Sequence, residues 1–128
     1  MLKKGITGQG ETIVTQENTA KIVGSGELDV FATPAMIALM EETAYKSVAG
    51  ELDAGMGSVG TLMNVKHVAA TPVGMKVTCQ TELEEVDGRR LVFRVEARDE
   101  AGLIGEGVHE RFIVENEKFQ KKANSKNQ

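Results

Sequence analysis

The sequence predicts an α+β domain in which one long helix packs on an antiparallel sheet, and three observations carry that expectation. Residues 33–50 (TPAMIALMEETAYKSVAG) set Met36, Ile37, Met40, Ala44 and Val48 at the three- and four-residue spacing of a helix face. From Ser58 onward the periodic signal is that of strands, apolar residues alternating with polar ones. Asp87-Gly88, between two such alternating runs, is a strong two-residue hairpin signal. A helix has one apolar stripe and a half-buried sheet one apolar face, and each must cover the other.

Taken in order, residues 10–23 hold a short strand signal (ETIVT), a polar link and a second, weaker strand signal, and 24–29 read as a loop. Thr33-Pro34 is a helix start: the hydroxyl can cap free N–H groups and proline is favoured in the first turn. The helix should stop at Gly50. Strands are expected over 58–70, 75–86, 89–98 and 103–114, with turns at 71–74, 87–88 and 101–102. In the third of these, Leu91, Phe93, Val95 and Ala97 share one face, and Arg90, Arg94, Glu96 and Arg98 the other. The lysine-rich end, EKFQKKANSKNQ, reads as a short helix or a frayed terminus. One domain spans 1–128, with 1–10 and 118–128 as peripheral tails, and no repeat divides it.

Composition narrows the function. At 128 residues and 41% apolar content the chain can build one core. It has no Trp and 4% aromatics, so a stacking platform for bases is not expected, and a net charge of −4 argues against phosphate-backbone binding. A single cysteine, Cys79, excludes an internal disulfide and a zinc knuckle and reads as an inert buried thiol. The N-terminus lacks the apolar stretch of a signal peptide and no run approaches bilayer length, so no membrane and a cytoplasmic location are expected.

Two polar residues sit awkwardly in this scheme. Glu41 falls on or at the edge of the apolar helix stripe, four residues after Ile37 and three before Ala44, whereas Glu42 points away. A carboxylate placed there needs a partner, a raised pKa or a chemical role. His67 shares a strand face with Met63, Val65 and Ala69, so a helix packed on that face would let acid and imidazole meet in one pocket. Thr33 and Glu41, eight residues apart, stand about 12 Å apart along the helix axis and line two ends of one groove.

Other motifs fall away. Gly55-Met-Gly-Ser-Val-Gly60 has the G-x-G-x-x-G spacing, but it follows a helix and enters a strand, the reverse of the order a dinucleotide site needs. Gly60 itself remains of interest, since a bare strand-start N–H can serve as an oxyanion donor. His109 lies in the last strand, where Glu110 and Arg111 read as ordinary cross-strand pairs. No metal-ligand spacing and no nucleophile-elbow serine is present.

Together, VFATPAMIALMEETA, GSVGTLMNVKHVAATPVGMKVT, EEVDGRRLVFRVEARDEAGLIGEGVHERFIV and the closing EKF resemble the fluoroacetyl-CoA-type thioesterases of the hotdog fold, in order and from about Thr12 to Phe119. The resemblance implies catalytic roles for Thr33, Glu41 and His67, a backbone donor at Gly60, and substrate contacts at Phe31 and Met40. It also implies a homodimer, or a tetramer built from such dimers, with sheets joined edge to edge and Thr33 and Glu41 of one chain facing His67 of the other. Upstream of Phe31, fluoroacetyl-specific members carry bulky aromatics where this chain has Ser25-Gly26-Glu27-Leu28-Asp29. The expected substrate is therefore another acyl-CoA, short or medium in chain length. No cofactor is expected beyond the coenzyme A of the substrate, whose phosphates could meet Lys66, Lys76 or 118–122.

The expected reaction is thioester hydrolysis. Glu41 activates a water or attacks the carbonyl, His67 positions the thioester and protonates the thiolate, Thr33 bonds Glu41 or its water, and the Gly60 amide holds the oxyanion. A non-catalytic acyl-CoA or small-ligand binding protein using the same groove is the alternative. Dehydration of a hydroxyacyl thioester ranks third.

Overall fold

The computed structural model describes residues 2–127. Its elements are β1 (Thr7–Ile13), α1 (Ala20–Val23), α2 (Thr33–Ala49), β2 (Met56–His67), β3 (Lys76–Asp87), β4 (Arg90–Asp99), β5 (Gly102–Glu115) and α3 (Asn116–Asn124). Single 3-10 turns stand before α1, at Gln16–Asn18, and after α3, at Ser125–Asn127. The expected α+β class holds, but not the expectation of a single helix. The second weak strand signal, around 20–23, is the short helix α1, capped by the Thr19 hydroxyl and ended by Gly24 at φ +91°.

The sheet has five antiparallel strands in the order β1-β3-β4-β5-β2. β3, β4 and β5 form the expected meander. β2 leaves α2 at one edge, and the chain then crosses to the far side before β3 begins. The hairpin turn lies one residue later than the dipeptide suggested: Asp87 pairs with Arg90, leaving Gly88 and Arg89 as the loop. Gly88 takes φ +61°, a conformation that favours glycine at the first loop position.

α2 covers the inner face. Met36, Met40, Ala44 and Val48 are fully buried and Leu39 and Thr43 nearly so, while Ile37 is only half-buried. Opposite them, Val77, Cys79 and Leu83 of β3 and Leu91, Phe93, Val95 and Ala97 of β4 are all inaccessible, as their alternation required. Each large side chain buried in this way contributes about 1.5–3 kcal/mol relative to exposure. Helix and sheet also approach closely at β1. A Cβ on Gly8 would come within 2.8 Å of Ser47 Cβ and 2.9 Å of the Thr43 carbonyl oxygen. Burial pushes the Cys79 thiol pKa up, which suits an inert core residue. Among the described residues no helix is long and apolar enough to cross a membrane.

Candidate active site

The N-terminus of α2 carries the first part of the site. Ala32, not Thr33, is the N-cap residue, and no side chain caps the helix. The Thr33 hydroxyl is engaged elsewhere: Oγ1 lies 2.7 Å from His67 Nδ1. His67 is the last residue of β2, where the chain leaves the sheet. Ala69 therefore lies outside the strand and does not share its face.

Thr33 and His67 line an open cavity of about 300 Å³ with Phe31, Val30, Ala69 and Ala70. Phe31, only 2% exposed, is a core residue that forms part of this wall. Met40, the other expected substrate contact, is fully buried between helix and sheet and is not among the lining residues. Burial holds the His67 pKa below the usual histidine value, although the Ala69 backbone works in the opposite direction. A neutral ring can accept the Thr33 proton at Nδ1. Its Nε2 is buried and makes no hydrogen bond.

Glu41 belongs to a second cluster further along α2. It is not buried: its side chain is 45% exposed at the edge of the apolar stripe. Its carboxylate points at Arg111, with Oε2 3.8 Å from Nη1. Gly60 stands directly beneath, and a Cβ there would lie 2.6 Å from Glu41 Oε2. The sheet register slips between Gly60 and Leu62 against β5, a bulge of the kind that often accompanies a site. Glu41 and His67 thus do not meet within one chain. Gly60 and His67 are seven positions apart along β2, roughly 23 Å at strand rise.

Arg111 and His109 are the residues the sequence reading passed over. Glu110 does make the expected cross-strand pair, with Arg90 Nε 2.9 Å away on the outer face. Its neighbours point inward and are buried, Arg111 at 6% and His109 at 1% exposure. Arg111 donates from Nε to Ser58 Oγ (2.8 Å) and from Nη2 to the Ser58 carbonyl (2.8 Å), and its Nη1 lies 3.1 Å from His109 Nε2. Its guanidinium stands 5.7 Å from the centre of the Tyr45 ring. One signal was available: in β5 the residues 105, 107, 109, 111 and 113 share one parity, which places a histidine and an arginine on the face that also carries Ile113. Of the lysines considered for phosphates, Lys76 is paired with Glu11 at 3.0 Å and Lys118 lies 3.8 Å from Glu115.

Residues 14–117 match the profile of the family described as fluoroacetyl-CoA-specific thioesterase. The chain is 47% identical over 98 residues to the fluoroacetyl-CoA thioesterase of Streptantibioticus cattleyicolor, covering 77% of this chain and 70% of that protein. It superposes on the solved fluoroacetyl-CoA thioesterase FlK with a TM-score of 0.92 at 39% identity, over 98% of each chain. A hot-dog-like protein from Thermanaerovibrio acidaminovorans shares the fold, with a TM-score of 0.88 at 23% identity over 98% and 93% of the two chains. The hydroxyl–imidazole pair in its cavity, the half-exposed glutamate beside a strand glycine and these likenesses agree: the chain belongs to the fluoroacetyl-CoA-specific thioesterase family and is a thioester hydrolase of the hotdog fold.

Proposed function

We propose that this protein hydrolyses a short- or medium-chain acyl-CoA to the free acid and coenzyme A, as a cytoplasmic homodimer that uses Thr33, His67, Glu41 and Gly60. The observation that carries the reading is the 2.7 Å contact between Thr33 Oγ1 and His67 Nδ1 at the wall of the cavity. A hydroxyl held on a neutral imidazole is the arrangement that converts a weak nucleophile into a reactive one.

In this reading His67 Nδ1 takes the Thr33 proton as Oγ1 adds to the thioester carbonyl carbon. The C–S bond then breaks, and the proton passes from His67 to the coenzyme A sulfur. Water, deprotonated by Glu41, adds to the threonyl ester. Its collapse releases the free acid, and the proton returns to Oγ1. The Gly60 amide donates to the oxyanion at each tetrahedral stage. No aromatic stands in 25–29, which leaves the mouth of the cavity open to acyl groups larger than fluoroacetyl.

The two clusters are joined in this reading by a second copy. β2 is a twelve-residue edge strand with an unpaired side, and such an edge is a template for another strand. Antiparallel pairing of two β2 edges about a two-fold axis between Met63 and Asn64 sets Gly60 of one copy opposite His67 of the other. Glu41, which lies over Gly60, then approaches the Thr33–His67 pair of the second copy. Thr33 and His67 stand together in one chain, so the division expected from the resemblance is redrawn: the glutamate comes from across the interface.

The test is thiol release from acyl-CoAs ranging from acetyl to palmitoyl, with Thr33→Val, Glu41→Ala and His67→Ala beside the wild type and sedimentation to read assembly. Release that needs all three residues supports the proposal and ranks the acyl groups. A folded dimer with no release above the variants favours the non-catalytic acyl-CoA binding protein. Hydration of an enoyl-CoA would favour dehydratase chemistry.

A further inference from the structure

The Arg111–His109 pair has no part in the chemistry above, yet it is the most completely buried polar arrangement near Glu41. His109 Nδ1 lies 2.8 Å from the Leu62 carbonyl oxygen. A carbonyl only accepts, so Nδ1 carries the proton. Nε2 lies 3.1 Å from Arg111 Nη1, and a guanidinium only donates, so Nε2 is bare. The two partners together fix one neutral tautomer, and the ring stacks on Phe93 of β4 with centroids 6.2 Å apart.

The Arg111 guanidinium is held on three sides by neutral acceptors: Ser58 Oγ, the Ser58 carbonyl and His109 Nε2. The fourth direction, again from Nη1, faces Glu41. Nη1 is therefore shared between the histidine and the carboxylate. Losing the His109 acceptor would leave Nη1 with the carboxylate as its one partner among the described residues, and the planar guanidinium would tilt about its Ser58 contacts toward Glu41. That movement shifts Glu41, which is half-exposed and has no hydrogen bond of its own among the described residues.

We infer that His109 is a positioning residue: as a neutral acceptor at Nε2 it fixes Arg111 Nη1, and through it the Glu41 carboxylate. The inference rests on the proposed use of Glu41. Burial first, and then the nearby Arg111 charge, lower the His109 pKa; the Leu62 carbonyl and Glu41 act the other way. The charged or titratable groups facing it are Arg111 on its own strand and Glu41 from α2, with Tyr45 of α2 against Arg111. Protonation would place two cations 3.1 Å apart, so the holding function belongs to the neutral form alone.

Three variants separate positioning from packing. His109→Gln keeps an acceptor near the Nε2 position, His109→Asn keeps a donor near Nδ1 without that acceptor, and His109→Phe keeps only the ring on Phe93. The expected result is a kcat about 10- to 100-fold lower in the Asn and Phe variants with KM little changed, and near-wild-type kcat in the Gln variant. The 15N spectrum of wild-type His109 is expected to show a protonated Nδ1 and a bare Nε2. An Arg111 Nη signal that exchanges slowly in the wild type is expected to persist in the Gln variant and to broaden in the Asn and Phe variants. Equal kcat across the series, or Gln and Asn falling together, overturns the inference. Should the Phe variant fail to fold, the Gln and Asn pair decides it. Should the wild type release no thiol at all, the proposed function has failed, and an Arg111 signal indifferent to the Asn substitution overturns the positioning role separately.

Discussion

Substituting Gly60 by alanine tests the placement of Glu41 with a single methyl group. The added Cβ would lie 2.6 Å from Glu41 Oε2, 3.3 Å from His109 Cε1 and 3.5 Å from Arg111 Nη1. The backbone accepts it, because Gly60 is not among the positive-φ glycines. The third contact is ordinary packing and the second needs only a few tenths of an ångström from the His109 ring, so the first must yield most. It yields on the glutamate side, since that side chain is 45% exposed and free to swing outward. Restoring normal contact moves the carboxylate by about 1 Å, a misplacement that costs on the order of 100-fold in rate where geometry matters. The fold should hardly notice. Alanine in a strand gains about 0.5–1 kcal/mol over glycine in backbone entropy, offsetting an ion pair worth about 0–1 kcal/mol at this exposure. Thiol-release kinetics and thermal melting of Gly60→Ala should therefore show kcat reduced about 10- to 100-fold and Tm within about 4 °C of wild type. Unchanged kcat would refute the use of Glu41 where it stands. A collapsed Tm would refute the claim that a side chain, and not the backbone, gives way.

Other outcomes follow from the same geometry. Thr33→Val deletes the hydroxyl at nearly constant volume; kcat should fall by about 10²- to 10⁴-fold while Thr33→Ser stays near wild type, and Tm should barely move because Thr33 does not cap α2. Equal rates for valine and serine would remove Thr33 from the chemistry. Gly107→Ala contrasts with Gly60→Ala: its methyl group would run into the Asn64 carbonyl and lie 2.6 Å from Val65 Cα, both backbone of the neighbouring strand. Loss of several kcal/mol, on the order of the largest single-site effects, is expected in urea melts, and a wild-type midpoint would contradict the register. Acid should destabilise the protein. Burial lowers the folded pKa of both His67 and His109, so the unfolded chain takes up more protons as pH falls through the usual 6.5. Their contribution is complete above that value and is lost on the way down to the folded pKa values. An unchanged or higher urea midpoint at about pH 5.5 than at about pH 7.5 would show that neither ring is held neutral by the fold.

Much of this was legible because local pattern and tertiary role coincide. The Leu91–Ala97 alternation, the helix stripe from Met36 to Val48 and the stop at Gly50 each follow from periods of 2 or 3.6 and from glycine and proline chemistry, which need no knowledge of neighbours. The resemblance likewise needed only residues in order. Sequence also marked Thr33, Glu41, Gly60 and His67 as residues out of keeping with their surroundings.

What they touch was a different matter. Whether the Thr33 hydroxyl caps its helix or holds an imidazole depends on β2 ending beneath α2, a contact between positions 34 residues apart. Whether Glu41 is buried depends on the few degrees by which the helix rolls on the sheet, and a residue at the edge of a stripe falls on either side. Arg111 looked like a surface partner because alternation along a strand says only that neighbours face opposite ways. The strand order, which places β5 beside β2 and not at an edge, decides which of the two faces lies under α2. Periodicity therefore determined the elements and flagged the unusual side chains. Only the packing of α2 across β2 and β5 decided which of them meet, because contacts between distant segments are set by burying the whole inner face at once.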